Sequence, residues 1–168
     1  ATHRTSGPLL LERAEGIHVY DAAGKQYIEG LAGLWCTALG YGNAELVEAA
    51  REQMTKLSFT HLFGGRSHEP AIQLAEKNKE ISPIPTSKVF FTSSGSEAND
   101  SQIKLAWYYN NARGKTKKKK SISRVRAYHG VTIAAGSLTG PPIFHAPFDL
   151  PIAGILPTDT PHYYPFGT

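Results

Sequence analysis

Residues 88–127 alternate a strand-like run, a long helical stretch and a second strand-like run, and that order narrows the fold more than any other feature of the chain. Lys88-Val89-Phe90-Phe91-Thr92 is rich in β-formers, Ser94 to about Ala112 reads as a helix, and Ile122 to Ala127 reads as a second strand. Parallel strands need a long crossover connection, so a strand–helix–strand unit of this size predicts a parallel sheet covered by helices. The expected class is α/β, a mostly parallel sheet with helices on both faces.

The residues before this unit have a different texture. Ile17-His18-Val19-Tyr20 and Gln26-Tyr27-Ile28 are strand-like, and Asp21-Ala22-Ala23-Gly24-Lys25 supplies turn chemistry between them, which predicts a hairpin. The Gly-rich stretch from Gly30 to Gly42 is too irregular for a helix and too apolar for a free loop. A helix is expected to start at Asn43, a good N-cap residue, with Leu46, Ala49, Ala50, Met54 and Leu57 on one face. A second is expected from near Ser67, with Pro70 in its first turn and Ala71, Leu74, Ala75 and Ile81 on its apolar face. Asn78 interrupts that face, and Pro83 and Pro85 end the segment. After Gly140 the pattern decays into Pro-rich connections. These shifts divide the chain into residues 1–57, part of a small N-terminal α+β domain, and 58–168, the first part of a larger one.

Composition excludes several classes. No run approaches the roughly 20 apolar residues of a membrane span, and nothing reads as a signal peptide. A single cysteine, Cys36, excludes an internal disulfide framework, and the 7 histidines show no metal-ligand spacing. With no basic neighbour to activate it, Cys36 reads as structural. A cytoplasmic protein is expected. The net charge of +4 is local: residues 113–126 hold 8 of the 18 basic residues and no acid, leaving 10 basic against 14 acidic residues elsewhere. Such a run between a helix and a strand reads first as a solvated loop, with an anion-binding surface as the alternative. Neither a nucleic-acid partner nor a membrane is expected. The chain opens without methionine and stops at Tyr163-Tyr164-Pro165-Phe166-Gly167-Thr168 without a closing element, so a piece of a longer protein is expected.

The sharpest local motif is Thr92-Ser93-Ser94-Gly95-Ser96-Glu97-Ala98, where strand hands over to helix. Ser94 and Glu97 have the spacing of a capping box. Gly95 permits close approach of a ligand, and free N–H groups at the positive end of the helix dipole suit a phosphate. A capped helix with nothing bound fits the same residues. The motif is not a Walker A loop, a dinucleotide fingerprint or a nucleophile elbow. Tyr128-His129-Gly130 follows the second strand, and ligands of open α/β sheets bind beyond the carboxyl ends of strands. Residues 94–96 and 128–130 are therefore expected on one edge, although a packed Tyr and a satisfied His are an equally good account of the second motif. Trp35, between glycines, suits a shaped apolar wall as well as a core position.

Four motifs in order and spacing, Gly30-Leu-Ala-Gly-Leu-Trp-Cys, Gly40-Tyr-Gly, Phe90-Phe-Thr-Ser-Ser-Gly-Ser-Glu-Ala-Asn-Asp and Ala127-Tyr-His-Gly, resemble the class III aminotransferases, above all the ω-transaminases. The resemblance runs from about Gly16 to Tyr164. It implies the fold type I architecture of pyridoxal-phosphate enzymes, with Ser94, Gly95 and Ser96 as the phosphate cup and Tyr128 stacking on the cofactor ring beside His129 and Gly130. It further implies Trp35 facing the substrate and Phe63 reaching the active site of a partner subunit, hence a homodimer. The implied reaction moves an amino group from a primary amine or ω-amino acid to a keto acid such as pyruvate. The family's Schiff-base lysine and the acid that pairs with the pyridine nitrogen lie beyond the matched segment. Lys104 sits in the helix after the cup and Lys115 to Lys120 belong to the charged loop, so these 168 residues alone are expected to be inactive. Another fold type I reaction, such as an aminomutase, fits the same motifs. So does a non-enzymatic module using the basic loop.

Overall fold

The computed structural model describes residues 7–166, which fall into two compact units, Ala1–Lys77 and Asn78–Thr168. That division follows contacts within this chain and cuts through a helix. The boundary expected from sequence between residues 57 and 58 concerns the domains of a larger protein, which contacts within this chain do not test.

The first unit opens with a three-stranded antiparallel sheet, β1 (Leu11–Glu15), β2 (His18–Asp21) and β3 (Gln26–Ile28), in that order. The hairpin expected over 17–28 is β2–β3, pairing Val19 with Tyr27 and Tyr20 with Gln26. Its turn is built by Asp21: one carboxylate oxygen accepts the N–H groups of Ala23 and Lys25, both at 2.9 Å, and the other accepts the Tyr27 hydroxyl at 2.8 Å. The Tyr27 hydroxyl first, and the Lys25 N–H second, hold the Asp21 carboxyl below the usual carboxylate range. Strand β1 carries no strong β-pattern in sequence. It forms because β2 offers a free edge, on which the Arg13 guanidinium lies 3.4 Å from the ring centre of its cross-strand partner Tyr20.

Residues Ala32–Trp35 form a single left-handed turn, with φ of 48°, 59°, 58° and 69° at Ala32, Gly33, Leu34 and Trp35. Each of the three non-glycine residues costs about 1–2 kcal/mol in this conformation. The turn rests on Tyr41, itself clamped to the β1–β2 turn by paired backbone bonds with Gly16 of 3.0 and 2.8 Å. A Cβ on Gly33 would lie 2.9 Å from the Tyr41 hydroxyl and 3.2 Å from Thr37 Oγ1, so this position takes glycine for space as well as for φ. Helix α1 (Ala44–Leu57) follows, with the Asn43 side chain accepting the Leu46 N–H at 3.1 Å as the N-cap expectation requires. Leu46, Met54 and Leu57 on its apolar face are exposed. Helix α2 (Glu69–Ile81) places Pro70 in its first turn.

In the second unit the expected strand 88–92 is absent: these residues form no ladder with any described residue, and Phe90 is exposed. A strand exists only as a partner of another, and β-propensity supplies no partner. Helix α3 (Gly95–Ala112) forms where expected. Strand β4 (Ser121–Arg124) stops short of the predicted Ala127, because the backbone turns left-handed at Arg126 with φ of 70°. A short helix α4 (Ile133–Leu138), two 3₁₀ turns (Pro142–Phe144 and Ala146–Phe148), strand β5 (Ile155–Thr158) and helix α5 (Tyr163–Phe166) complete the unit.

The parallel pairing predicted from the strand–helix–strand pattern does occur, one crossover later: β4 pairs with β5, Ser121 opposite Ile155 and Arg124 opposite Thr158. Donation from Ser121 N–H to Gly154 O and from Val125 N–H to Thr158 O sets the even residues of β5 against β4. The N–H that Pro157 lacks would have faced away, which is why a proline is tolerated there. The basic run is tied to α3 through Arg113, whose guanidinium donates to the Tyr109 hydroxyl at 2.7 Å, and through Lys119. Lys119 Nζ donates to Asn111 Oδ1 at 2.6 Å and to the Trp107 carbonyl at 3.3 Å, while the Trp107 indole N–H donates back to the Lys119 carbonyl at 3.1 Å. Its ammonium thereby meets the negative end of α3.

The buried apolar residues among those described are Val19, Ile103, Ala135 and Ile155. Accessible surface is 13714 Å², against roughly 9,800 Å² for two separate folded globules of half the chain's mass each. Much apolar surface is therefore uncovered within this chain, as the exposed faces of α1 and Phe90 illustrate.

Candidate cofactor site

The site begins with the capping of α3. Ser94 stands at the N-cap in extended conformation, and its Oγ accepts the Glu97 N–H at 3.2 Å. The Glu97 carboxylate reaches back to the Ser93 N–H at 2.8 Å, one residue before the position a standard capping box uses. These bonds leave the N–H groups of Gly95 and Ser96 without an acceptor among the described residues, pointing out of the first turn of an 18-residue helix. Glu97 is the first-turn acid, and its carboxylate is engaged by the Ser93 N–H.

Against this helix end lies the loop between β4 and α4. Gly95, Ser96, Asn99, Tyr128, His129 and Gly130 line one open cavity of about 310 Å³. Five of the six residues expected at a cofactor therefore line a single cavity; Ser94 stands beside it as the cap. Tyr128 is exposed and makes an edge contact with Phe144, ring centres 5.9 Å apart at 64°. Gly130 is buried at φ of 125°, where a Cβ would come within 2.3 Å of Ser96 Oγ. The loop approaches the helix so closely that no side chain fits between them.

The loop is held by one face of α3. Ser96, Asn99 and Asp100, at i, i+3 and i+4, all reach across to it, and Ile103 continues the face into the core. Ser96 Oγ accepts the Val131 N–H at 3.1 Å, and Asn99 Nδ2 donates to the His129 carbonyl at 2.7 Å. Asp100 Oδ1 accepts both the Thr132 hydroxyl and the Ala135 N–H, each at 2.9 Å. From the other side the fully buried Thr139 hydroxyl accepts the His129 N–H and donates to the Gly130 carbonyl, again each at 2.9 Å. Sequence reasoning quoted Asn99 and Asp100 as part of a motif and passed over Thr139. A signal existed in the polar residues spaced three and four apart on a helix otherwise expected to bury that stripe.

The donor set fits a flat phosphorylated cofactor. Two free N–H groups at a helix N-terminus match a phosphate dianion, the Ser96 hydroxyl keeps its proton for donation, and an exposed aromatic ring borders the same cavity. No lysine lines it. Lys104 borders a different, apolar cavity with Phe90, Ser101, Leu105 and Tyr108. Trp35 and Phe63 belong to the first unit, where both are exposed; Phe63 stacks on His61 with ring centres 4.0 Å apart. Cys36 is exposed as a free thiol. No group of described residues could hold a metal ion, and no described helix is long and apolar enough to cross a membrane.

The chain is 54% identical over 163 residues to gamma-aminobutyrate transaminase 1, mitochondrial, of Oryza sativa subsp. japonica, covering 95% of this chain and 31% of the relative. It is 52% identical over 158 residues to gamma aminobutyrate transaminase 1, mitochondrial, of Solanum lycopersicum, covering 94% and 31%. Among solved structures, the omega transaminase from Pseudomonas jessenii in complex with PMP superposes with a TM-score of 0.95 at 56% identity, covering 99% of this chain and 37% of that one. The chain thus spans about a third of the length of these relatives. The class-III aminotransferase family model matches residues 1–164. This chain belongs to the class III aminotransferases, a family of pyridoxal-phosphate-dependent transferases with the fold type I architecture.

Proposed function

We infer that this chain supplies the phosphate-binding and ring-holding part of a transaminase that moves an amino group from a primary amine or ω-amino acid to a keto acid such as pyruvate. The observation that carries this reading is the convergence of Gly95, Ser96, Tyr128, His129 and Gly130 on one cavity at the free N-terminus of α3. The names of the rice and tomato relatives point to an ω-amino acid donor, and the Pseudomonas neighbour holds the aminated form of the cofactor.

Pyridoxal phosphate, when bound, supplies an electron-withdrawing ring that takes up the electron pair released as a C–H bond of the amine breaks. The residues of this chain bind and orient. The N–H groups of Gly95 and Ser96 and the Ser96 hydroxyl take the phosphate, in the field of the helix dipole. Tyr128 would hold the ring by stacking, and the bonds to His129 and Gly130 fix the backbone next to it. Trp35 and Phe63 are assigned to substrate contact on the family resemblance. Moving the proton needs a base, and no lysine lines the cavity, so the 168 residues alone bind without turning over. Residues 1–57 are assigned to a small N-terminal domain and 58–168 to the first part of the large cofactor-binding domain. The uncovered apolar surface supports burial by further chain and by a second subunit of a homodimer.

The test uses the full-length enzyme loaded with pyridoxal phosphate, γ-aminobutyrate or 1-phenylethylamine as donor and pyruvate as acceptor, with alanine formation as the readout. Alanine is expected. In Gly95→Asp the new side chain enters open space, so its charge alone is tested against the phosphate dianion. Cofactor affinity should fall on the order of a hundredfold, the size of a like-charge contact worth about 2.7 kcal/mol. Enzyme that retains the cofactor but makes no alanine from any primary amine would remove the transaminase reading. An unchanged affinity in Gly95→Asp would remove the phosphate assignment.

A further inference from the structure

We propose that Asp100 and Thr139, neither of which lines the cavity, are positioning residues that set the cofactor-facing loop from behind, so that the capping of α4 and the shaping of the cofactor site are one set of bonds. The inference rests on reading the cavity as the cofactor site. Helix α4 has Thr132 at its N-cap position, a residue type well suited to that role, yet Thr132 makes no side-chain cap bond to its own helix. Its hydroxyl turns instead to Asp100 Oδ1, which also accepts the Ala135 N–H, the third of the helix. Asp100 is thus the N-cap of α4, delivered from another helix and separated from it by 35 residues in sequence.

The consequence for the loop is that its two ends are fixed by different partners. Asp100 holds the end at Thr132, and Thr139, the C-cap residue of α4, holds the His129 N–H and the Gly130 carbonyl. Between these, Ser96 and Asn99 take the Val131 N–H and the His129 carbonyl. The backbone polar groups thus engaged leave the segment 129–132 little freedom, and Tyr128 directly precedes it. Thr139 is fully buried; its hydroxyl accepts from the loop at His129 N–H and donates to the Gly130 carbonyl at 2.9 Å, with the Ala135 carbonyl of its own helix a longer second acceptor at 3.2 Å. Removal of either residue releases one end of the loop and unsettles Tyr128 without touching the phosphate-binding N–H groups.

The experiment compares Asp100→Ala, Asp100→Asn, Thr139→Val and Thr139→Ser in the full-length enzyme. It measures the dissociation constant of pyridoxamine phosphate, the induced circular dichroism of the bound pyridoxal phosphate and the melting temperature of the apoenzyme. Asp100→Ala is expected to raise the dissociation constant tenfold or more and to halve the induced dichroism; Asp100→Asn, which keeps the acceptor oxygen, stays within threefold. Thr139→Val, which keeps the shape and loses the hydroxyl, should weaken binding fivefold or more, with Thr139→Ser within twofold; this pair carries the test if Asp100→Ala does not fold. Variants that melt earlier but bind and orient the cofactor as wild type does would overturn the proposal. So would equal losses in Thr139→Val and Thr139→Ser. If Gly95→Asp weakens binding in the same assays while these variants do not, only the positioning role is lost; if wild type itself does not bind, the cofactor reading falls first.

Discussion

The cup at residues 94–130 and the turn at residues 32–35 are both shaped for a task, and they are held by opposite means. In the cup, side chains from one helix face satisfy the backbone of a loop 30 or more residues away in sequence, and one buried threonine holds the same loop from 9 and 10 residues away. Backbone conformations near the bonds are mostly ordinary, with Gly130 at φ of 125° and Arg126 at φ of 70° the departures. In the turn, bonds are local, Leu31 to Trp35 and Ala32 to Cys36, and four successive residues sit in left-handed space. A polar network distributes its energy over many partners, whereas a strained turn stores an unfavourable conformation that its surroundings must overcome. Substitutions should therefore act with opposite sign in the two places.

The largest expected effect is in the cup. Gly130→Ala forces a methyl into Ser96 Oγ and Ala135 Cβ at a φ that favours glycine, so stability to urea should fall by about 3 kcal/mol and cofactor retention should be lost. A smaller effect of reversed sign is expected in the turn. Ala32→Gly removes a left-handed alanine at φ of 48° and should raise stability by about 1 kcal/mol, read as a higher urea midpoint at unchanged slope. A loss in Ala32→Gly equal to that of an ordinary helix glycine would break the contrast, since it would mean that the turn is not strained. The smallest effect separates the hairpin from both. The folded-state depression of the Asp21 carboxyl contributes stability above its unfolded value, so the contribution should fade as pH falls below about 4. The difference in melting temperature between wild type and Asp21→Asn should accordingly shrink from pH 6 to pH 3, and a difference that stays constant would leave the Tyr27–Asp21 bond without a role.

The legibility of the chain follows the same division. The hairpin turn at Asp21, the N-cap at Asn43, the capping of α3 by Ser94 and the meeting of residues 95–96 with 128–130 were all readable, because each rests on side chains acting on nearby backbone or on strand-edge geometry. The strand at 88–92 was misread, since Val89, Phe90 and Phe91 have the propensity for a ladder but find no partner among the described residues. The shortening of β4 at Arg124 turns on a left-handed residue, Arg126, that nothing in its side chain announces. Asn99 and Asp100 stand in the quoted motif and Thr139 outside it, and none of the three names its partner, because a bond to a residue 9 to 35 positions away leaves little local trace beyond the polar spacing on α3.

The turn at Ala32–Trp35 was least legible of all. Alanine, leucine and tryptophan rarely adopt left-handed backbone, and Gly33 alone hints at it. Short-range capping, periodicity and charge operate within a few residues, so the α/β class, the helix starts and the chemistry of an anion site are legible along the chain. Which strand pairs with β4, which helix caps α4, and the left-handed folding of the Gly-rich stretch upon Tyr41 emerge in three dimensions alone. Those outcomes depend on what is brought close in space, where bonds and clashes are settled by atoms that the chain keeps far apart.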